Sequence, residues 1–81
     1  MTDKELNDIE ARCSSTQPGP WKAYIENRDH ESGSDFIMTG GEGIEMTGAT
    51  VADYDFIAAA KQDIPRLIAE VRDIQKRLAS L

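Results

Sequence analysis

The chain is poor in the residues from which many functional sites are built, with one cysteine, one histidine and one tryptophan. A lone Cys13 excludes an internal disulfide framework and any zinc site made of several cysteines. No stretch approaches the roughly 18 to 20 consecutive apolar residues of a membrane span, and the first residues lack the pattern of a signal peptide. We therefore expect a cytoplasmic protein that has no partner in the membrane.

The length of 81 residues predicts a single domain, residues 1–81, with one small core and no room for a deep substrate cleft. A chain of this size hides only about 60% of the surface that it exposes when unfolded. Pairing with another copy would therefore be a natural source of additional stability.

The net charge of −6 is unevenly distributed along the sequence. Residues 1–60 contain 12 acidic and 4 basic side chains, whereas residues 61–81 contain 5 basic and 3 acidic ones. The acidic majority disfavours binding to the phosphates of DNA or RNA. Two partner classes remain open, a basic protein surface and a small anion held by the basic residues. Surface charge that only keeps the protein in solution is the third possibility.

The first segment is predicted to be a short helix. Thr2 and Glu5 have the spacing of a capping box, and apolar residues recur at helical spacing over residues 1–14. Two prolines around Gly19 then end the helix and fix a turn. This turn delivers Trp21 to the start of an extended segment.

Residues 21–51 are predicted to form a small antiparallel sheet of about three strands. Apolar and polar side chains alternate over residues 21–26, the period of a half-buried strand. Residues 36–39 and 44–47 flank the sequence Gly-Gly-Glu-Gly. This is a hairpin signal, because glycine accepts the positive φ angles that such turns need.

Residues 53–81 are predicted to form two helices. Asp53 would cap the first, which extends to about residue 62. Its inward-facing apolar residues would be Phe56, Ile57 and Ala60. Asp63 would cap the second, with Pro65 in its first turn, where the missing N–H costs nothing. The order helix, sheet, helix, helix is that of an α+β domain.

The last helix, residues 63–81, carries the most informative pattern. Its apolar side chains recur at spacings of 3 and 4 residues, the a and d positions of a coiled coil. The six positions are Ile64, Leu67, Val71, Ile74, Leu78 and Leu81. Ile68 widens this stripe only near its start. A narrow stripe of this kind predicts pairing with a second helix, so we expect a homo-oligomer.

Two segments of the sequence resemble a family of small phage proteins. Pro18-Gly19-Pro20-Trp21 is followed by Asp55-Phe56-Ile57-Ala58-Ala59-Ala60 and by Asp63-Ile64-Pro65-Arg66-Leu67-Ile68-Ala69-Glu70-Val71. The combination is similar to the patterns TPGPW and FIAAARxDVPxLLxEV of phage and prophage accessory proteins, some of them grouped as Ead-like early proteins of lambdoid phages. The resemblance covers residues 14–26 and 52–78. It implies a phage origin and an accessory role, and it brings no catalytic residues.

Few side chains have the setting that chemistry requires. His30 lies between Asp29 and Glu31, but consecutive residues on a loop do not converge on a metal or a substrate. Cys13 lacks a nearby base and fits a small core position, and the glycine-rich turn lacks the Lys-Ser/Thr of a phosphate-binding loop. We expect neither enzyme activity nor a metal or cofactor.

Trp21 has two alternative roles. An exposed indole after a rigid turn could anchor a partner protein. The strand alternation and the Pro-Gly-Pro sequence before it favour the other role, in which Trp21 lies largely buried against Phe56 or Ile57.

These features favour a phage-encoded binding protein that inhibits a bacterial host component through an acidic surface, and we expect that component to belong to a defence system. The acidic candidates are Glu26, Glu42 and Glu45. The alternative is an oligomer that sequesters a small anionic nucleotide. Its candidate ligands are Trp21, Tyr24, Arg66, Arg72, Lys76 and Arg77, which combine stacking surfaces with positive charge. A purely structural oligomerisation module is the third hypothesis.

Overall fold

The computed structural model describes residues 1–81 and has four regular elements. They are helix α1 (Asp3–Ser14), strand β1 (Lys22–Tyr24), strand β2 (Phe36–Met38) and helix α2 (Val51–Ala79). The α+β class and the short first helix are confirmed, whereas the chain has two helices and not three. No helix combines the length and the apolar character that crossing a membrane requires.

Helix α1 begins with the predicted capping box. The hydroxyl of Thr2 accepts a hydrogen bond from the Glu5 amide at 3.1 Å, and the Glu5 carboxylate accepts one from the Thr2 amide at 2.9 Å. These bonds satisfy amides of the first turn that have no partner within the helix. The apolar face of α1 is turned inward, with Leu6 fully buried and Ile9 and Cys13 half-buried.

β1 and β2 form the whole sheet and pair antiparallel, with Ala23 opposite Ile37. Both of these residues are buried. On the other face Tyr24 lies opposite Phe36, and the two rings stack with their centroids 5.4 Å apart. The sheet thus covers the core with one face and exposes the other.

The predicted third strand, residues 44–47, is reduced to a single bridge. Ile44 and Ile37 exchange two backbone hydrogen bonds, of 2.8 and 2.9 Å, and the pairing ends there. Two residues later, the backbone amide and carbonyl of Met46 both bind the hydroxyl of Tyr54, at 3.0 and 3.1 Å. Since a side chain takes the backbone groups that a strand would need, the third strand does not form.

In the glycine-rich segment after β2, glycine allows two stretches of backbone to approach each other closely, and none of these glycines has a positive φ. Gly40 donates its amide to the Pro18 carbonyl at 2.6 Å, and a Cβ atom at Gly40 would lie 2.9 Å from that oxygen. The glycines with positive φ are Gly33 and Gly48, outside the predicted turn. The expectation that the turn glycines supply positive φ is therefore wrong.

α2 is one continuous helix, Val51–Ala79, in place of the two helices that the sequence predicts, residues 53–62 and 63–81, and Leu81 lies outside it. Its N-cap is Thr50, whose hydroxyl accepts a bond from the Asp53 amide at 3.1 Å. The Asp53 carboxylate accepts in return from the Thr50 amide at 2.8 Å. Asp53 is therefore the third helical residue of a capping box and not the cap, and Asp63 lies inside the helix.

Pro65 lies in the interior of α2, where a proline removes one backbone hydrogen bond and commonly kinks or ends a helix. Helix α1 contacts α2 on both sides of this proline. The Lys61 ammonium donates to the Cys13 carbonyl at 3.1 Å, and the Arg72 guanidinium donates to the Glu10 carboxylate at 2.7 Å. We attribute the continuity of α2 to this packing, which stabilises helical structure beyond what local propensity provides.

The core lies between the sheet and the first turns of α2. Its buried residues are Ala23, Ile25, Ile37, Tyr54 and Ala58. A second buried pair, Leu6 and Ile68, lies where α1 runs along α2. The molecule measures 55 by 21 by 21 Å, and its radius of gyration of 16.0 Å exceeds the roughly 12 Å of a compact chain of this length. α2 therefore extends well beyond the sheet.

Candidate functional site

The predicted pairing surface of α2 is exposed along most of its length. We call its six residues the α2 seam: Ile64, Leu67, Val71, Ile74, Leu78 and Leu81. Leu67, Ile74 and Leu78 are 61%, 53% and 63% exposed, Leu81 is fully exposed, and Val71 is half-buried. Complete burial of each large apolar side chain would contribute about 1.5 to 3 kcal/mol. This free energy is largely unrealised in the single chain.

Helix α1 lies on the flank of α2 next to the seam and does not cover it. Arg72 donates to Asn7 of α1 at 2.8 Å, and Gln75 donates at 3.1 Å to the carbonyl of Met1, which precedes α1, so both residues lie on this flank. Ile68, on the same flank, is buried. Ile68 therefore belongs to the intrachain contact, whereas the seam faces outward.

The inward-facing residues predicted for the first part of α2 fall into two groups. Ile57 and Ala60 are half-buried, but Phe56 is 75% exposed, so the prediction that Phe56 faces the core is wrong. The core positions are Tyr54 and Ala58. At about 100° per residue, Phe56 lies roughly 200° around the helix from both of them.

A groove of about 360 Å³ opens between α1, α2 and the turn that precedes β1. It is lined by Ile9, Arg12, Cys13, Thr16, Trp21, Ile57, Ala60, Lys61 and Ile64. Because Ile64 is also the first residue of the α2 seam, the groove and the seam form one continuous surface.

Trp21 is half-buried at this groove, so its exposure is intermediate between that of an exposed anchor and that of the largely buried residue favoured by the sequence. Its indole N–H donates to the Gln17 carbonyl at 3.0 Å, and its backbone amide donates to the Gln62 side chain at 2.8 Å. The Lys61 ammonium lies 5.6 Å from the ring centroid. Ile57, one of its two predicted neighbours, lines the same groove, while Phe56 points to solvent.

The acidic candidates Glu26, Glu42 and Glu45 are all exposed, but they do not form one patch. The Asp35 carboxylate accepts from the Glu26 amide at 2.9 Å, and Asp35 and Glu45 line the same shallow depression. Glu42 lies beyond the opposite end of β2, where its amide donates to the Gln17 side chain at 2.6 Å.

Arg28 organises the charges of the loop after β1. Its guanidinium donates two hydrogen bonds to Asp55 on α2, both of 2.9 Å, and a third of the same length to Asp29. The bonds from Arg28 lower the pKa of Asp55, and the pKa of Asp29 is lowered chiefly by the Ile25 amide, which donates to it at 2.9 Å. These carboxylates in turn raise the pKa of Arg28.

The six residues of the nucleotide hypothesis are dispersed. Arg72 is engaged by α1, and Arg77 forms an ion pair of 2.9 Å with Asp73. Arg66 lies eleven residues before Arg77, about 16 Å along the helix axis. Lys76 is exposed on the C-terminal turns, while Trp21 lies at the groove and Tyr24 in the sheet. Within one chain they do not converge on a common ligand.

His30 packs within its loop. Its Nδ1 lies 2.8 Å from the Ser32 carbonyl, its ring centroid lies 5.8 Å from that of Phe36, and its Nε2 has no hydrogen-bond partner. No group of three or more His, Cys, Asp or Glu side chains is placed to hold a metal ion.

The sequence interpretation missed two features, the groove and the pairing of Arg28 with Asp55. The groove combines apolar positions that were recognised on separate helices, but their spacing gives no sign that they meet. Nothing in the sequence links residues 28 and 55 either. Comparison with protein-family models, curated proteins and solved structures gave no match.

Proposed function

We propose that this chain is a non-enzymatic binding protein whose sheet end docks on a basic surface of a bacterial host protein and inhibits it. One observation carries the proposal. Residues 22–60, which form the sheet, its loops and the first turns of α2, contain eight acidic and two basic side chains. Their net charge of −6 equals that of the whole chain, since the remaining residues balance.

The local arrangement leaves several carboxylates of this end without an ion pair. Arg28, one of its two basic residues, is held by Asp29 and Asp55 and contributes little free positive charge. Glu26, Glu42 and Glu45 remain exposed. Exposed carboxylates of this kind attract a basic surface and accelerate encounter with it. A host protein that normally holds nucleic acid would fit, because the carboxylates would take the places of phosphates.

The resemblance of residues 14–26 and 52–78 to phage accessory proteins supports the biological part of the proposal. A phage protein of this type would act in the bacterial cytoplasm, and a defence component is the target that we favour. The proposed activity resides in a charged surface and needs no reaction centre.

The test is capture of host proteins from a bacterial lysate by the immobilised chain, followed by measurement of the affinity of the purified partner. Replacing Glu26, Glu42 and Glu45 by glutamine should weaken binding to a basic partner at least tenfold. Attraction should also decline with added salt, as the Debye length falls below about 8 to 10 Å.

The matched control changes the net charge by the same amount outside the sheet end. Its substitutions are Asp3→Asn, Asp8→Asn and Asp73→Asn, all at exposed positions. Equal weakening by both triple variants would show that only total charge matters and would overturn docking by the sheet end. A nucleotide that co-purifies with the chain and is lost when Arg66, Arg72 and Arg77 are replaced would favour the sequestration hypothesis instead.

A further inference from the structure

We infer that two copies of this chain pair through α2 in antiparallel orientation, each inserting its bare C-terminal turns into the groove of the other. This inference does not depend on the host partner proposed above. It follows from the continuity of α2, the position of α1, the charges beside the seam and the exposed area of the single chain.

The continuity of α2 lengthens the repeat. Because Pro65 does not end the helix, the spacing of 3 and 4 residues extends back from Ile64 to Ala60 and Ile57. Within the helix the repeat then comprises seven positions from Ile57 to Leu78, and Leu81 continues the spacing two residues after α2 ends at Ala79. A strict seven-residue repeat of this length favours left-handed supercoiling with a second helix.

The position of α1 leaves one flank of the seam free. In the heptad, the e positions are Lys61, Ile68 and Gln75, and all three lie against α1 or the residues directly before and after it. The g positions on the free flank are Asp63, Glu70 and Arg77, all exposed. In a parallel pair each g residue faces an e residue of the other helix, whereas in an antiparallel pair g residues face g residues.

The charges on the free flank favour the antiparallel pair. With Ala60 opposite Leu78 of the second copy, Asp63 of each copy faces Arg77 of the other, whose exposed guanidinium also pairs with Asp73 of its own helix. Two opposite-charge contacts result, against one like-charge contact between the two Glu70 residues at the two-fold axis. A parallel pair would place Asp63 opposite Ile68 and Glu70 opposite Gln75, so it would contain no ion pair on this flank.

The same register places the protruding C-terminal residues of one copy at the open groove of the other. The last turn of α2 and the two residues after it, 76–81 together, lie beyond α1, and all are exposed. At the other end the groove beside Trp21 is open, with the small side chain of Ala60 on its wall. The antiparallel arrangement brings Leu78 and Leu81 of one copy opposite Ala60 and Ile57 of the other. The surface is therefore self-complementary, as a two-fold interface requires.

The exposed area agrees with an interface of ordinary size. The single chain exposes 5924 Å². A compact monomer of its mass, 9.0 kDa, would expose only about 4,900 Å². The excess of about 1,000 Å² is close to the roughly 800 Å² that each partner buries in a standard interface.

The first experiment measures mass in solution by light scattering and native mass spectrometry. The wild type should have twice the chain mass of 9.0 kDa, about 18 kDa. Leu67→Asp with Ile74→Asp should give the monomer mass with unchanged helix content, because both side chains are exposed in the single chain. Ala69→Asp, an exposed position on the opposite face, should leave the dimer intact. A monomeric wild type overturns the inference.

The second experiment determines orientation by cross-linking, in a Cys13→Ser background. A mixture of Leu67→Cys and Val71→Cys chains should be joined efficiently by a short bismaleimide, because these positions face each other in the antiparallel register. Leu81→Cys alone should not be joined, since its two copies lie at opposite ends. Efficient linkage of Leu81→Cys would demonstrate a parallel pair and contradict the inference.

The third experiment exchanges charges. Asp63→Arg and Arg77→Asp, made singly, should each weaken the dimer about tenfold, and the double variant should recover most of that loss. Glu70→Gln should tighten the dimer by removing the like-charge contact at the axis. Weakening by Glu70→Gln would indicate a shifted register in which Glu70 faces Arg77, and it would overturn the placement of the C-terminal turns in the groove.

Discussion

Arg28 binds both carboxylate oxygens of Asp55 with two parallel hydrogen bonds of 2.9 Å. The contact joins the loop after β1 to the second turn of α2, across 27 positions of sequence. A guanidinium presents its donors in a fixed planar fork, so this geometry restricts orientation as well as distance. The loop that carries much of the acidic charge is thereby fixed to the longest helix.

The first prediction is that the fold is less stable in acid. The pKa values of Asp55, Asp29 and Glu5 are lowered, chiefly by hydrogen bonds from Arg28, the Ile25 amide and the Thr2 amide respectively. Unfolded carboxyls titrate near pH 4. Because folding lowers these values, the ionised groups favour the fold above about pH 4, and this contribution is lost as the pH falls through the folded values.

Urea unfolding at pH 7 and pH 3, at one protein concentration, should therefore show lower stability in acid. Arg28→Gln should reduce the difference, because the Asp55 carboxyl then loses the donor that lowers its pKa. Lys4→Gln, which alters an exposed ion pair with Asp8, should leave the difference nearly unchanged. An undiminished acid effect in Arg28→Gln would mean that other groups cause it.

The second prediction concerns Trp21. Since the indole is half-buried, Trp21→Ala should lower the free energy of unfolding by about 2 kcal/mol, less than the roughly 3 to 5 kcal/mol of a fully buried aromatic residue. Trp21→Phe should retain part of the packing and lose the hydrogen bond to Gln17. A Trp21→Ala protein as stable as the wild type would show that the indole serves only the surface.

The third prediction concerns Pro65. Because this proline lies inside α2, Pro65→Ala should raise the free energy of unfolding by about 1 to 3 kcal/mol by restoring a backbone bond. Arg66→Ala, at the exposed neighbouring position, should change it by less than about 0.5 kcal/mol. If Pro65→Ala were neutral or destabilising, the proline would behave as the first residue of a separate helix.

The fourth prediction concerns Gly40. Gly40→Ala should destabilise the fold by about 1 to 3 kcal/mol, because its Cβ would meet the Pro18 carbonyl oxygen at 2.9 Å and backbone cannot easily move away. Gly43→Ala is the matched control. Its Cβ would lie 3.3 Å from the Phe36 ring, a side chain that can shift, so the loss should be smaller. Chemical denaturation of both variants would measure the difference.

The local signals in the sequence predicted much of the fold. Three of these signals depend on neighbours within a few residues. They are the capping box at Thr2 and Glu5, the strand patterns around Ala23 and Ile37, and the apolar repeat of the C-terminal half. Such signals are visible in sequence because period and capping chemistry are local. The acidic candidates and most residues of the α2 seam are exposed, and their roles in binding and pairing stay predictions.

The sequence failed where distant contacts decide the structure. Asp63 followed by Pro65 has the pattern of a helix start, but α1 contacts both sides of the proline and the helix continues. Residues 44–47 have a strand pattern, but the Tyr54 hydroxyl takes the backbone groups of Met46. The groove escaped detection for the same reason, since its walls come from three segments whose meeting is a tertiary event.

The contacts between α1 and the distal half of α2 also have a consequence for synthesis of the protein. At the bond from Arg72 to Glu10, α1 precedes the residue that it contacts by 62 positions. The nascent chain therefore cannot bury the apolar face of α1 until residue 72 has left the exit tunnel. Until then that face is exposed, so chaperones that hold emerging chains are expected to meet α1 before α2 does.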